Sequence, residues 1–189
     1  MQITIARANP DDLMGIQEVI YRGWLETYPN AEHGITIDDI EDRFKDRSSE
    51  ENVARGREQM AKPPDGQIAL IAKNADAILG FCRATAHPDR NQLYAIYVLP
   101  EYHGCGIGAA MWQEAQRHLD ASKHTIVQVA VYNYKAIKFY KSFGFMDTGK
   151  RISNPKLKMK SGAIISEMEM RREAILHSEQ GYGDAVNPG

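Results

Sequence analysis

The sequence has little cysteine. Cys82 and Cys105 are the two in 189 residues, too few for a disulfide scaffold and in keeping with a reducing compartment. It has no run of about 18 apolar residues, the length a bilayer-crossing helix needs. Its opening, Met1-Gln2-Ile3-Thr4-Ile5-Ala6-Arg7, lacks the charged and apolar regions of a secretory signal. Neither charge is in excess: 23 Lys and Arg against 25 Asp and Glu leave a formal net charge of -2, so no sequence-wide basic field exists to hold nucleic acid or an anionic membrane. The six histidines show neither H-x-H nor H-E-x-x-H spacing, which speaks against a metal site. The expectation is a cytoplasmic protein with no nucleic-acid, membrane or metal partner. What is present is ordinary: 43% hydrophobic and 25% charged residues, in a chain long enough to bury roughly 70% of its unfolded surface in one core.

Ile3 to Arg7 alternates as a half-buried strand does. Asn9-Pro10-Asp11-Asp12 then provides an N-cap, a first-turn proline and acids at the positive end of a helix, with Leu13, Ile16, Ile20 and Trp24 on one face. Thr36 with Asp39, and Ser48 with Glu51, predict two further helix starts, the second helix reaching about Met60. From residue 67 the period shortens. Gln67 to Lys73, Ala77 to Ala86, Gln92 to Leu99 and Thr125 to Val131 read as strands, the first three joined by turn sequences into an antiparallel meander. A helical pattern on Ile107, Met111, Ala115 and Leu119 lies between the third and fourth of these strands, so those two must pair in parallel. A helix from Asn133 to Ser142 ends at Gly144. Phe145 to Thr148 and Ile164 to Met170 predict two last strands on either side of a basic loop, Lys150 to Lys160. The polar stretch from His177 to Gly189 reads as a frayed tail.

Gly104-Cys105-Gly106-Ile107-Gly108 opens a helix. Alternating glycines at a positive helix terminus make a concave run of N–H groups suited to phosphate or pyrophosphate, although a tight turn that needs glycine for its backbone angles would read the same way. Gly104, Gly106 and Ala109 also satisfy the dinucleotide pattern G-x-G-x-x-A. The context opposes that reading. Four residues, Pro100-Glu101-Tyr102-His103, separate strand from glycine, the preceding strands form a meander, and the next strand ends Val131-Tyr132-Asn133 without the acid a ribose requires. Ala109-Ala110 stands where a P-loop would have Lys-Ser/Thr.

The segment from Tyr97 to Gly108, YVLPEYHGCGIG, resembles motif A of the GNAT superfamily of acetyl-CoA-dependent N-acetyltransferases. Asn133 to Phe145, NYKAIKFYKSFGF, resembles the superfamily's N-x-x-A-x-x-F-Y-x-x-x-G-F segment, in the expected order and separation. The element order to about Met170 agrees as well. The resemblance implies an α/β (α+β) fold: a single domain over residues 1–172, a mixed, mostly antiparallel sheet with one splayed parallel pair, flanked by helices, and a tail over 173–189. It implies acetyl-CoA as co-substrate, with pyrophosphate on the loop formed by His103, Gly104, Cys105, Gly106, Ile107, Gly108 and Ala109. The pantetheine arm would lie along Tyr97 and Val98 and touch Asn133, Ala136 and Tyr140.

The resemblance assigns the Val98 N–H to the thioester carbonyl and then to the oxyanion, a role that needs a donor fixed where charge develops. Tyr140 takes the position of the general acid. Phenols titrate near 10 and thiols near 8.5, so a tyrosine is protonated at neutral pH and can donate to a departing thiolate; read from its residues alone, Tyr140 is more readily a core tyrosine on the inner face of its helix. Asn133 reads both as an N-cap and as a pantetheine contact. Trp24, Tyr28 and Tyr94 lie on the elements that form the acceptor pocket in the superfamily. Two positions depart from the pattern. His103 stands where Gln or Arg is usual, and Gln92 stands where many relatives carry a Glu that accepts the amine's proton. Glu26, Glu32, His33 or a water remain as bases, and Cys105 reads as a spacer in the loop.

The expected activity is therefore direct acetyl transfer from acetyl-CoA to a primary amine of a small molecule or peptide in a ternary complex. The alternative, prompted by His103 and Gln92, is a CoA-binding sensor or interaction module without chemistry. No residue pattern calls for a homodimer and none excludes one.

Overall fold

Asn9 starts the first helix as its sequence predicts. Its side-chain oxygen accepts from the Asp11 N–H and the Asp12 carboxylate accepts from the Asn9 N–H, each at 2.9 Å. The 3-10 turn Pro10–Asp12 runs on into α1 (Leu13–Thr27). Thr36 and Asp39 close a capping box on α2 (Ile37–Phe44). α3 (Glu50–Ala61) is capped by Ser49, one residue later than the Ser48 start expected from the sequence. In the computed structural model, residues 2–75 and 77–174 are described; the expected tail from His177 lies outside them.

Among the described residues seven strands make one sheet: β1 (Thr4–Arg7), β2 (Gln67–Lys73), β3 (Ile78–Ala86), β4 (Asn91–Val98), β5 (Thr125–Ala130), β6 (Met146–Lys158) and β7 (Ile164–Arg172). Their spatial order is β1-β2-β3-β4-β5-β7-β6. The β4–β5 pair is parallel and the others are antiparallel, as the meander and the crossover through α4 (Ile107–Gln116) require. α4 stops at Gln116, short of the Leu119 included in its sequence pattern. α5 (Tyr134–Ser142) follows β5 and is capped by Asn133, whose side-chain oxygen accepts from the Ala136 N–H at 3.0 Å.

Helices cover both faces of the sheet. A Cβ at Gly23 of α1 would meet the Tyr97 ring, whereas one at Gly80 would meet Met111 of α4; Tyr97 opposes Phe81 and Val98 opposes Gly80, so strand alternation puts the two helices on opposite sides. Leu70, Ile71, Leu79, Leu93, Met111 and Trp112 are all but inaccessible in the main core. A smaller cluster of Ile35, Ile40, Ala130, Met159 and Ile165 lies under α2.

One expectation is corrected. The basic segment Lys150 to Lys160 is strand through Lys158, so β6 has 13 residues where a short strand and a loop were expected. β6 is an edge strand, mostly exposed, with two register irregularities. An edge can carry lysines and Pro155 because one row of its backbone groups faces water, and this exposure removes the apolar alternation by which a strand is read.

The opening between β4 and β5 has a local cause. They pair at Asn91, Gln92 and Leu93 against Thr125, Ile126 and Val127, and then separate. On its other edge β4 has an extra residue at the same point: Leu93 opposes Ala84 and Ala95 opposes Arg83, which leaves Tyr94 without a partner. A bulge bends its strand, and this one turns β4 away from β5 where their pairing stops.

Candidate active site

The gap presents backbone. Leu99 donates its N–H to Leu79 O at 2.8 Å, so Val98, the next residue along the strand, directs its N–H and C=O away from β3 and toward the gap. The Val98 carbonyl accepts from His103 Nε2 at 2.9 Å, which fixes that nitrogen as the protonated one. His103 Nδ1 is 3.6 Å from Glu26 Oε1, and the Lys135 ammonium is 3.0 Å from the same oxygen.

Below His103 the loop turns through Gly104 and Gly106, both at φ +79, and a Cβ built on either would have nothing within 4 Å. No side chain caps α4, so the orphan N–H groups of its first turn open onto the same space. The cavity there measures about 660 Å³. Its wall includes Tyr97, Val98, His103, Gly104, Gly106, Ile107, Gly108 and Ala109 from the strand and loop, and Asn133, Ala136 and Tyr140 from the far side. Cys105, predicted with them, does not line it. Its N–H donates to Tyr102 O at 3.3 Å and its side chain is exposed.

A second cavity, about 830 Å³, runs along α1. The predicted Trp24, Tyr28 and Tyr94 all line it. The Trp24 and Tyr28 rings are 4.3 Å apart, and the Tyr28 and Tyr97 hydroxyls are 3.4 Å apart. Tyr94, 45% exposed, reaches His87 Nε2 with its hydroxyl at 3.0 Å. The two cavities share Ile96, Tyr97, Asn133, Ala136 and Tyr140. Burial raises the pKa of Tyr28, Tyr97 and Tyr140 above the ordinary phenol value, so all three hydroxyls at this junction are neutral, proton-bearing groups at physiological pH. Among the described residues the Tyr140 hydroxyl has no hydrogen-bond partner.

The bases considered from the sequence are not on this second wall. Glu26 lines the loop cavity and is engaged by Lys135; His33 stacks on Tyr132 at 4.5 Å; Glu32 is exposed on the 3-10 turn Ala31–His33. Gln92 is buried, its side chain donating to Leu93 O at 3.3 Å, beside a separate depression near His124 and Arg171. The carboxylate that does line the cavity, Glu167 of β7, was not a candidate from the sequence. It belongs to an alternating strand pattern that names no chemistry, and only the β5–β7 register brings it beside Ala130.

Among the described residues no cluster of His, Cys, Asp and Glu is suited to a metal ion, and no helix is long and apolar enough to cross a membrane.

A family model described as acetyltransferase (GNAT) family matches residues 24–145. No curated protein sequence matches the chain. Solved structures do. The PaiA N-acetyltransferase of Thermoplasma acidophilum, in complex with coenzyme A, is 20% identical with a TM-score of 0.67 over 92% of this chain and 99% of that one. A GNAT-family acetyltransferase of Streptococcus pneumoniae is 22% identical with a TM-score of 0.63, covering 91% and 99%. The ribosomal-protein-S18-alanine N-acetyltransferase of Escherichia coli is 18% identical with a TM-score of 0.61, covering 96% and 99%. The chain belongs to the GNAT acetyltransferase family. It is an N-acetyltransferase, with acetyl-CoA as its co-substrate.

Proposed function

We propose that this protein transfers the acetyl group of acetyl-CoA directly to a primary amine of a small molecule or peptide, with both substrates bound together. The observation that carries this reading is the meeting of two cavities at Tyr97, Asn133, Ala136 and Tyr140. A thioester entering from the loop side and an amine entering along α1 would face each other there without a covalent enzyme intermediate.

The loop suits the co-substrate. Space in place of side chains at Gly104 and Gly106 lets phosphate oxygens approach backbone N–H groups and the uncapped start of α4. Acetyl-CoA supplies an activated carbonyl and a thiolate leaving group. The Val98 N–H, turned into the gap, is placed to hold the carbonyl oxygen as it gains charge, and donors of this kind contribute about 3–4 kcal/mol. Tyr140 holds a proton that it can give to the departing sulfur, since burial keeps the phenol neutral. His103 must release the Val98 carbonyl before a pantetheine amide can bind it. A cytoplasmic location belongs to the same reading, in keeping with a chain of two cysteines, both free.

Release of free thiol from acetyl-CoA in the presence of an amine panel tests the proposal. Wild-type turnover is expected, with kcat lowered about 100-fold or more in Tyr140→Phe and CoA affinity kept. Tight CoA binding without thiol release above the Tyr140→Phe background would replace the enzyme reading with the binding-module reading.

A further inference from the structure

Among the described residues Glu167 is the one carboxylate on the wall of the cavity along α1; the other charged residues there, Arg7, Lys62 and Arg83, are cations. Glu167 is half-buried, and among the described residues no hydrogen bond or ion pair reaches its side chain. Two residues further along the same face of β7, Glu169 has both, from Lys150 at 3.0 Å and Thr148 at 3.4 Å. A carboxylate withdrawn from water without a partner is unfavourable, and a cation arriving in the cavity would offset that cost.

We infer that Glu167 binds the ammonium of the acceptor and accepts its proton, and that the acceptor is a monoamine with an apolar body. This rests on the acetyl-transfer reading of the same site. The body is specified by the rest of the wall: Ile16, Ile20, Trp24 and Phe81 are apolar, and a second ammonium would find the cations Arg7, Lys62 and Arg83 and, among the described residues, no second carboxylate to hold it. The head is specified by the surroundings of Glu167. Glu167 lines the same cavity as Tyr97 and Tyr140, which stand where the cavities meet, and, after burial, its charge adds to the rise in the pKa of Tyr28 and Tyr97.

The step balances. R–NH3+ gives one proton to the Glu167 carboxylate, and the free amine attacks the thioester carbonyl carbon. The C–N bond forms and the C–S bond breaks; the sulfur leaves with the Tyr140 proton, and the second proton lost by nitrogen restores the phenol. Glu167 returns its proton to solvent. Burial moves the carboxyl of Glu167 upward from its ordinary value, toward the range in which it works as a base near neutrality. The other groups on the wall from the elements around β7 are Tyr28 just after α1, Tyr97 from β4, Tyr140 from α5, Arg83 from β3 and the neutral Asn154 from β6. Burial holds the three phenols in their protonated form, so an ionisation in the acceptor profile above the ordinary carboxyl range belongs to Glu167.

The test compares 2-phenylethylamine, spermidine and the peptide Ala-Leu-Ala with wild type, Glu167→Gln and Glu167→Asp, each checked for thermal stability and CoA binding. Wild type is expected to prefer 2-phenylethylamine to spermidine at least tenfold in kcat/KM. Glu167→Gln should lose about 50-fold or more in kcat/KM for the amine and lose the acidic limb of its pH profile, while its CoA affinity is unchanged; Glu167→Asp should recover part of the rate. Wild-type turnover retained within twofold in a folded Glu167→Gln overturns the role of Glu167, and a preference for spermidine overturns the assigned acceptor class. Absence of wild-type turnover with every amine overturns the acetyl-transfer reading itself, and the inference with it.

Discussion

The hydroxyl of Tyr28 lies 3.4 Å from that of Tyr97, and this contact joins α1 to β4 where the two cavities meet. It depends on Gly23, because a Cβ there would be 2.8 Å from Tyr97 Cδ1.

Gly23→Ala should therefore displace the Tyr97 ring and part the two phenols. Alanine favours a helix over glycine by about 1 kcal/mol, but overpacking costs about 1–3 kcal/mol. The variant is expected to have a lower melting temperature than wild type and weaker acceptor turnover. A rise in melting temperature would show that the ring yields freely.

Alkaline stability follows from the same burial. Desolvation pushes the Cys82 thiol from 9.0 up to about 12 and raises Tyr28, Tyr97 and Tyr140 as well. A group whose pKa is higher in the folded state binds more protons there, so stability is full below the unfolded value and falls as pH rises toward the folded one. Denaturant midpoints should be level to about pH 9 and then fall, each group adding about 1.4 kcal/mol per pH unit to the slope. Cys82→Ala should make the fall shallower between pH 9 and 10.

Asp39 gives the acid limb. Burial opposes its charge, but hydrogen bonds from Thr36 and Ser161 outweigh that effect and lower the carboxyl to about 2. The Ser161 N–H is 2.7 Å from Asp39 Oδ1, so the residue caps α2 and ties it to the β6–β7 turn. With a folded pKa below the unfolded one, this stabilisation is present above about pH 4 and is lost as pH falls through about 2. Asp39→Ala should cost about 1–2 kcal/mol near neutrality, and the loss relative to wild type should vanish in strong acid.

Gly106 and Gly149 separate backbone strain from ligand binding. They have φ of +79 and +81 with open space at the Cβ position, so alanine at either should cost about 1–2 kcal/mol. Only Gly106 lines the loop cavity. Gly106→Ala is expected to weaken CoA binding tenfold or more by calorimetry, and Gly149→Ala to leave it unchanged.

Elements with a buried face and a cap were legible in the sequence. The Asn9 and Thr36 helix starts, the meander from residue 67 and the parallel crossover all have the positions their patterns imply. The loop glycines, Tyr97, Val98, Asn133, Ala136 and Tyr140 line one cavity, because consecutive residues of a turn and of a helix start stay together whatever surrounds them. The length of β6 was not legible, since an exposed edge strand carries no apolar period.

The sequence by itself determined the order of the elements and the family, because caps, glycine turns and periodic apolar residues act over a few positions. Only the tertiary structure decided how the walls are assigned. It turned Gln92 away from the cavity along α1, occupied Glu26 with Lys135, and brought Glu167 of β7 to that cavity, residues far apart in the chain. Strand register and the Tyr94 bulge set those distances, and a register is a property of two strands together that neither strand's residues contain alone.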